Sequence, residues 1–106
     1  MKGDHLGEFE ELVLLVVRRL GEDAYGLAIR DCLDRETSRD VSIGAVYAAL
    51  DRLEGKGLVT SAMTEGTAVR GGRSRRSFTL TRDGERQLRA IQQVRDRLWR
   101  VAPVRR

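Results

Sequence analysis

Around Gly55-Lys56-Gly57 the apolar pattern of this chain changes period, and that switch confines it to a narrow set of folds. Before it, apolar residues recur at helical spacing. Phe9, Leu12, Val13, Val16, Val17 and Leu20 follow i, i+3, i+4, i+7, i+8 and i+11, one face of an amphipathic helix. Acidic residues lead this helix and Arg18-Arg19 end it, in keeping with the helix dipole, and Gly21 is its stop signal. A second helix is expected from about Ala24 to Glu36, with Tyr25, Ile29, Cys32 and Leu33 as its apolar stripe. Ser42, a good N-cap, opens a third that closes near Gly55-Lys56-Gly57. At helical pitch its Ile43, Val46, Leu50 and Leu53 share roughly an 80° arc. Opposite lie Gly44, Ala45, Ala48, Asp51 and Arg52, small and polar residues suited to close approach, with Tyr47 on the flank. After Gly57, Leu58 to Glu65 and Arg75 to Leu80 are rich in β-branched and aromatic residues and flank a basic, glycine-rich tip, which predicts a β-hairpin. Thr81 caps a last helix running to about Arg100. The order α-α-α-β-β-α makes the chain mainly α with a small β-hairpin, the winged helix-turn-helix pattern.

A length of 106 residues allows one domain with one modest core. The longest apolar run, Leu12 to Val17, has six residues, far short of the ~20 a spanning helix needs. Asp4, Glu8, Glu10 and Glu11 occupy the region where a signal peptide carries positive charge. Together with a single cysteine, Cys32, this predicts a cytoplasmic protein with no membrane partner. The net charge of +4 hides an asymmetry, since residues 1–65 carry −5 and residues 66–106 carry +9. A basic half of that density suggests a polyanionic partner.

Enzymatic chemistry finds no foothold. The one histidine, His5, precedes the first helix, and no Cys/His pair has metal-ligand spacing, so neither a metal nor a cofactor is expected. Cys32 falls on an apolar stripe, as core cysteines do. The glycines of Arg70-Gly71-Gly72-Arg73 suit a hairpin turn and lack the Lys and Ser/Thr of a phosphate-cradling loop. Arg70, Arg73, Arg75 and Arg76 crowd the hairpin tip with no acid among them. A solvated surface is the plain explanation of such a run. A hairpin beside a groove-entering helix, however, lies near flanking phosphates or the minor groove, where arginine is favoured.

Three stretches now carry a resemblance. Asp23-Ala24-Tyr25-Gly26-Leu27-Ala28-Ile29 is one. The second runs from Ile43 through the pattern Gly44, Tyr47, Leu50, Leu53 and Gly57 to Val59. The third runs from Gly71-Gly72-Arg73 through Leu80-Thr81 to Gly84. In combination they resemble the PadR family of bacterial transcription regulators, in its short subgroup lacking the larger C-terminal domain. Ala48 stands where many members carry proline, and Ser77 where many carry a bulkier residue. The resemblance implies a dimeric winged-helix protein binding double-stranded DNA, commonly a repressor, with helix three in the major groove. Ser42, Gly44, Ala45, Ala48 and Arg52 are then its candidate DNA-facing residues, Tyr47 a contact to the DNA backbone, and the wing arginines contacts to phosphates or minor groove.

Residues 1–80 would form the DNA-binding unit and residues 81–106 a dimerisation helix with a basic tail, the two making one structural unit. Leu88, Ile91, Val94, Leu98, Trp99 and Val101 give the last helix a broken apolar stripe that one small core does not obviously cover. With Leu12 and Leu15 of helix one it predicts a homodimer seam, although the same helix packing back on its own helix one would hide Leu88 and Ile91. Some members of the family hold flat aromatic effectors between subunits, which makes Trp99 a candidate stacking residue. The competing function is a winged-helix module that binds protein, favoured by Asp51 and the acidic first half.

Overall fold

In a computed structural model, residues 5–64 and 75–100 are described. Helix α1 spans Glu8–Leu20, α2 Gly26–Thr37 and α3 Ile43–Gly55; strands β1 and β2 span Val59–Thr64 and Arg75–Leu80; α4 spans Arg82–Trp99. The order is that of the winged helix. Glu10 reaches back to accept the Gly7 N–H at 3.4 Å at the start of α1, and Gly21 ends that helix with a positive φ of 56°. Val13, Leu14 and Val17 are buried, while Phe9, Leu12 and Leu20 only flank the core.

Helix α2 starts two residues later than its periodicity suggests, for a non-local reason. A 3-10 turn over Gly21–Asp23 leads into an extended Tyr25. There Ala24 C=O accepts the Phe78 N–H at 2.9 Å and Tyr25 bridges Ser77, so this segment serves as a third rung beside the hairpin. The other end of α2 closes on Ser38 in the left-handed region, and Asp34 Oδ1 accepts the Val41 N–H at 2.9 Å, fixing the turn into α3.

Ser42 Oγ accepts the Ala45 N–H at 3.0 Å and so caps α3. Val46, Ala49, Leu50 and Leu53 are fully buried, whereas Ile43, expected on the same stripe, is exposed. It stands on the first turn, and Ala49 takes the inward position instead. Strands β1 and β2 pair antiparallel from Val59 opposite Leu80 to Thr64 opposite Arg75, and the buried Phe78 pins them to the helices.

Thr81 joins this wing to α4 on both sides. Its Oγ1 accepts the Gly84 N–H at 2.9 Å and donates to Gly57 C=O at 2.8 Å. Gly84 is required here because a Cβ would lie 2.3 Å from the Leu58 carbonyl oxygen. The first half of α4 packs on α1 through the buried Leu88 and half-buried Ile91, tied by Arg18 to Glu85 at 2.7 Å and Arg95 to Glu11 at 2.7 Å. Beyond it the helix keeps going, and Val94, Leu98 and Trp99 are exposed.

Candidate nucleic-acid interface

The outer face of α3 is small and open. Ser42, Gly44, Ala45 and Ala48 are exposed, and a Cβ built on Gly44 would meet nothing within 4 Å. A helix stripped of side chains on one side lets another surface approach its backbone closely. Its N-terminus adds the positive end of the helix dipole.

Tyr47 spans the gap between α3 and the start of α2. Its ring is tilted against Phe78 at a centroid distance of 6.3 Å. Its hydroxyl end fits over Gly26, where a Cβ would stand 2.4 Å from Oη. The amides of a helix's first turn have no intrahelical acceptor, and at the start of α2 the N-cap Tyr25 offers them no side-chain acceptor either. Gly26, Leu27 and Ala28 of that turn line an open groove of about 680 Å³ together with Tyr47, Met63 and Arg75. The Arg75 guanidinium sits 4.1 Å above the Tyr25 ring, which holds the root of the wing against this groove.

The cations differ in how they are spent. Arg76 donates to Glu54 at 2.8 Å, lies 3.5 Å from Asp51 and covers the Phe78 ring at 5.0 Å, so its charge braces the wing on α3. Arg52 donates through Nε to Glu10 at 2.6 Å, and Lys56 donates to the same carboxylate at 2.8 Å. Burial works hardest against the Glu10 charge. The hydrogen bonds from Lys56 and Arg52, the Lys56 charge and the Gly7 N–H together outweigh it and hold the carboxyl below its ordinary value. Arg70 and Arg73 lie outside the described residues, as does Val101.

The residues expected at a subunit seam separate into two groups. Leu88 is only 5% exposed and belongs to the core of the single chain, with Leu12 and Ile91 packed at its edge. Leu15, Val94, Leu98 and Trp99 face outward, the last two at 72% and 87% exposure. Ala90, Ile91, Val94, Arg95 and Leu98 form a shallow apolar cleft of about 400 Å³ along α4. Among the described residues no three His, Cys, Asp or Glu side chains gather to hold a metal, and no helix is long and apolar enough to cross a membrane.

The sequence model of the PadR-like transcriptional regulator family matches residues 13–90, from the core of α1 through the wing to the middle of α4. The chain belongs to that family. A PadR family transcription regulator from hypervirulent Clostridium difficile R20291 is similar at 29% identity and a TM-score of 0.66, over 82% of this chain and 85% of that one. A PadR family regulator from Eggerthella lenta DSM 2243 is similar at 30% identity and a TM-score of 0.65, over 82% of this chain and 73% of that one. Bacillus subtilis PadR, solved with operator DNA, shares the fold at 22% identity and a TM-score of 0.65, over 92% of this chain and 50% of that one. A comparison with curated proteins gave no match.

Two residues of this PadR-like protein escape a reading of its sequence. Gly26 takes part through its lack of a side chain. Glu10 reads as one of several acids leading α1, yet it falls three and seven residues before Val13 and Val17, on the buried face. That spacing was the available signal.

Proposed function

We propose that the protein is a sequence-specific DNA-binding regulator that acts as a repressor by occupying a palindromic operator as a homodimer. The observation that carries this reading is the small-residue outer face of the first two turns of α3 beside the uncapped first turn of α2. A major groove about 12 Å wide admits a helix, and a helix without large outward side chains seats deepest. Ser42, Gly44, Ala45, Ala48 and Arg52 then face base edges. Tyr47, the α2 amides and Arg75 take the neighbouring phosphates, and Arg70 and Arg73 at the wing tip reach flanking phosphates or the minor groove. Arg76 contributes indirectly, by holding the wing at its angle.

Residues 1–80 thus read DNA and residues 81–106 join two copies. Val94 and Leu98, exposed along one cleft of α4, support that division together with the exposed Leu15 and Trp99, since large apolar side chains left in water on so small a protein suit an interaction surface. A two-fold pairing along α1 and α4 sets two α3 helices on half-sites about one DNA turn (~34 Å) apart. Trp99 at such a seam is also placed to stack on a flat aromatic effector, with the bland alternative that it only buries area.

The test is a salt series on double-stranded DNA. Each phosphate engaged releases counterions, so log K falls against log salt with a slope of about −0.9 per phosphate. A protein-binding module with a solvated wing shows no DNA affinity to lose, and that result overturns the reading.

A further inference from the structure

Glu10 is the buried charged residue among those described, at 7% exposure. Three groups converge on its carboxylate: the Gly7 N–H, Arg52 Nε at 2.6 Å and Lys56 Nζ at 2.8 Å. Lys56 also donates to the His5 carbonyl at 2.8 Å, so two of its three N–H bonds are committed. Arg52 lies in the last turn of α3, the helix assigned to the major groove, and Lys56 is the residue that caps its C-terminal end. We propose that Glu10 is a positioning residue for DNA recognition, which aims Arg52 at a base and withholds the charge of Arg52 and Lys56 from phosphates. This deepens the reading of α3 as the DNA-reading helix and rests on it.

A guanidinium is a rigid planar fork with five N–H donors. With Nε bound to Glu10, its freedom to swing is largely removed and the terminal edge, whose two nitrogens match guanine O6 and N7, is what remains to offer. The side chain is 53% exposed, so that edge is accessible. An unrestrained arginine on a surface would instead find a phosphate on any sequence, and an unrestrained Lys56 would do the same. For Arg52 that gain comes at the expense of a base contact and so lowers discrimination, whereas for Lys56 it raises the affinity for every sequence alike. One carboxylate shared by two cations holds back that affinity while keeping the edge aimed. A tie that merely joined α1 to α3 would affect stability and leave the salt dependence of DNA binding alone.

Fluorescence anisotropy across a salt series separates these roles. The probes are a duplex enriched by the wild-type protein from a randomised library, and poly(dI–dC) as non-specific DNA. Glu10→Gln keeps the shape and removes the charge. It should bind poly(dI–dC) more tightly, with a slope steeper by about 0.9 for each cation released. The ratio of specific to non-specific affinity should fall about fivefold or more, the low end of what one bidentate pairing with a base contributes. Arg52→Ala, which leaves Lys56 and the Gly7 N–H on Glu10, should lower the ratio while leaving the poly(dI–dC) slope unchanged. In the Arg52→Ala background, Glu10→Gln should no longer change the ratio. A folded Glu10→Gln protein with unchanged slope and ratio overturns the proposal. So does an Arg52→Ala protein whose poly(dI–dC) slope drops by about 0.9, because Arg52 was then already on a phosphate. A wild-type protein that binds neither duplex overturns the assignment of α3 itself, and the proposal with it.

Discussion

Gly26→Ala tests the seat of Tyr47 with a single methyl group. The new Cβ would lie 2.4 Å from Tyr47 Oη, 2.5 Å from Cζ and 3.0 Å from Cε1. Carbon atoms rest at about 3.5 to 4.0 Å from one another, so the end of the ring must retreat by about 1 Å. The buried Phe78 blocks retreat on one side, and the ring is left to swing towards the open groove. Overpacking of this kind costs about 1–3 kcal/mol. Replacing glycine within a helix returns at most about 0.5–1 kcal/mol, and less at the first helical residue, so the expected net loss is between about 0 and 2.5 kcal/mol. Tyr47→Phe removes Oη but leaves Cζ in the way, so it relieves little of the cost. Tyr47→Ala removes the whole obstruction, and in that background Gly26→Ala should be neutral or stabilising. Urea unfolding of the two single variants and the double variant, followed by far-UV circular dichroism, gives the coupling between the sites. Equal effects of Gly26→Ala in both backgrounds would refute the argument. DNA affinity of Gly26→Ala should fall alongside, because the displaced ring occupies the groove meant for the phosphate.

Neutralising Arg73 and Arg75 together should weaken binding to all DNA sequences and lower the salt slope by about 0.9 for each phosphate left unpaired; an unchanged slope would make the wing a solvated face. Sedimentation should find the wild-type protein dimeric at micromolar concentration and Leu98→Lys monomeric, whereas a monomeric wild-type protein would remove the palindromic operator from the account. If Trp99→Ala stays dimeric but no longer answers to an aromatic ligand that releases the wild type from DNA, Trp99 senses; a monomeric Trp99→Ala makes it a packing residue. Because the folded-state pKa of Glu10 is lowered below its ordinary value near 4.5, its ion pairs stabilise the fold above that value and are lost as pH falls through the lower, folded-state pKa. Urea midpoints measured from neutral into acid should therefore decline less steeply for Glu10→Gln than for the wild type, and parallel declines would contradict the buried pair.

What the sequence made legible was local. Ser42 and Thr81 are N-caps in the structure as their chemistry requires, and the change of period at Gly57 falls where α3 gives way to β1. What stayed hidden depends on contacts between distant segments. Nothing near Ala24 and Tyr25 announces that their backbone will pair with Phe78 and Ser77, and that pairing is what delays α2. The tip cluster reads as uniform positive charge. Only the fold reveals that Arg76 meets Glu54 and Asp51 while Arg75 stacks on Tyr25. Helix α1 is apolar on more than one side, so periodicity alone did not decide that Leu14 points inward and Leu15 outward. Glu10 was masked by its company, since acids at the start of a helix already have a reason to be there.

Selection from a library of randomised duplexes tests the central claim most directly, because it requires both reading helices to act at once. The account predicts that the wild-type protein enriches a single motif present twice in inverted orientation, with half-sites about one helical turn (~34 Å) apart, and that Gly44→Leu enriches none. A wild-type protein that returns the library unenriched, or a Gly44→Leu protein that returns the same motif, would contradict it.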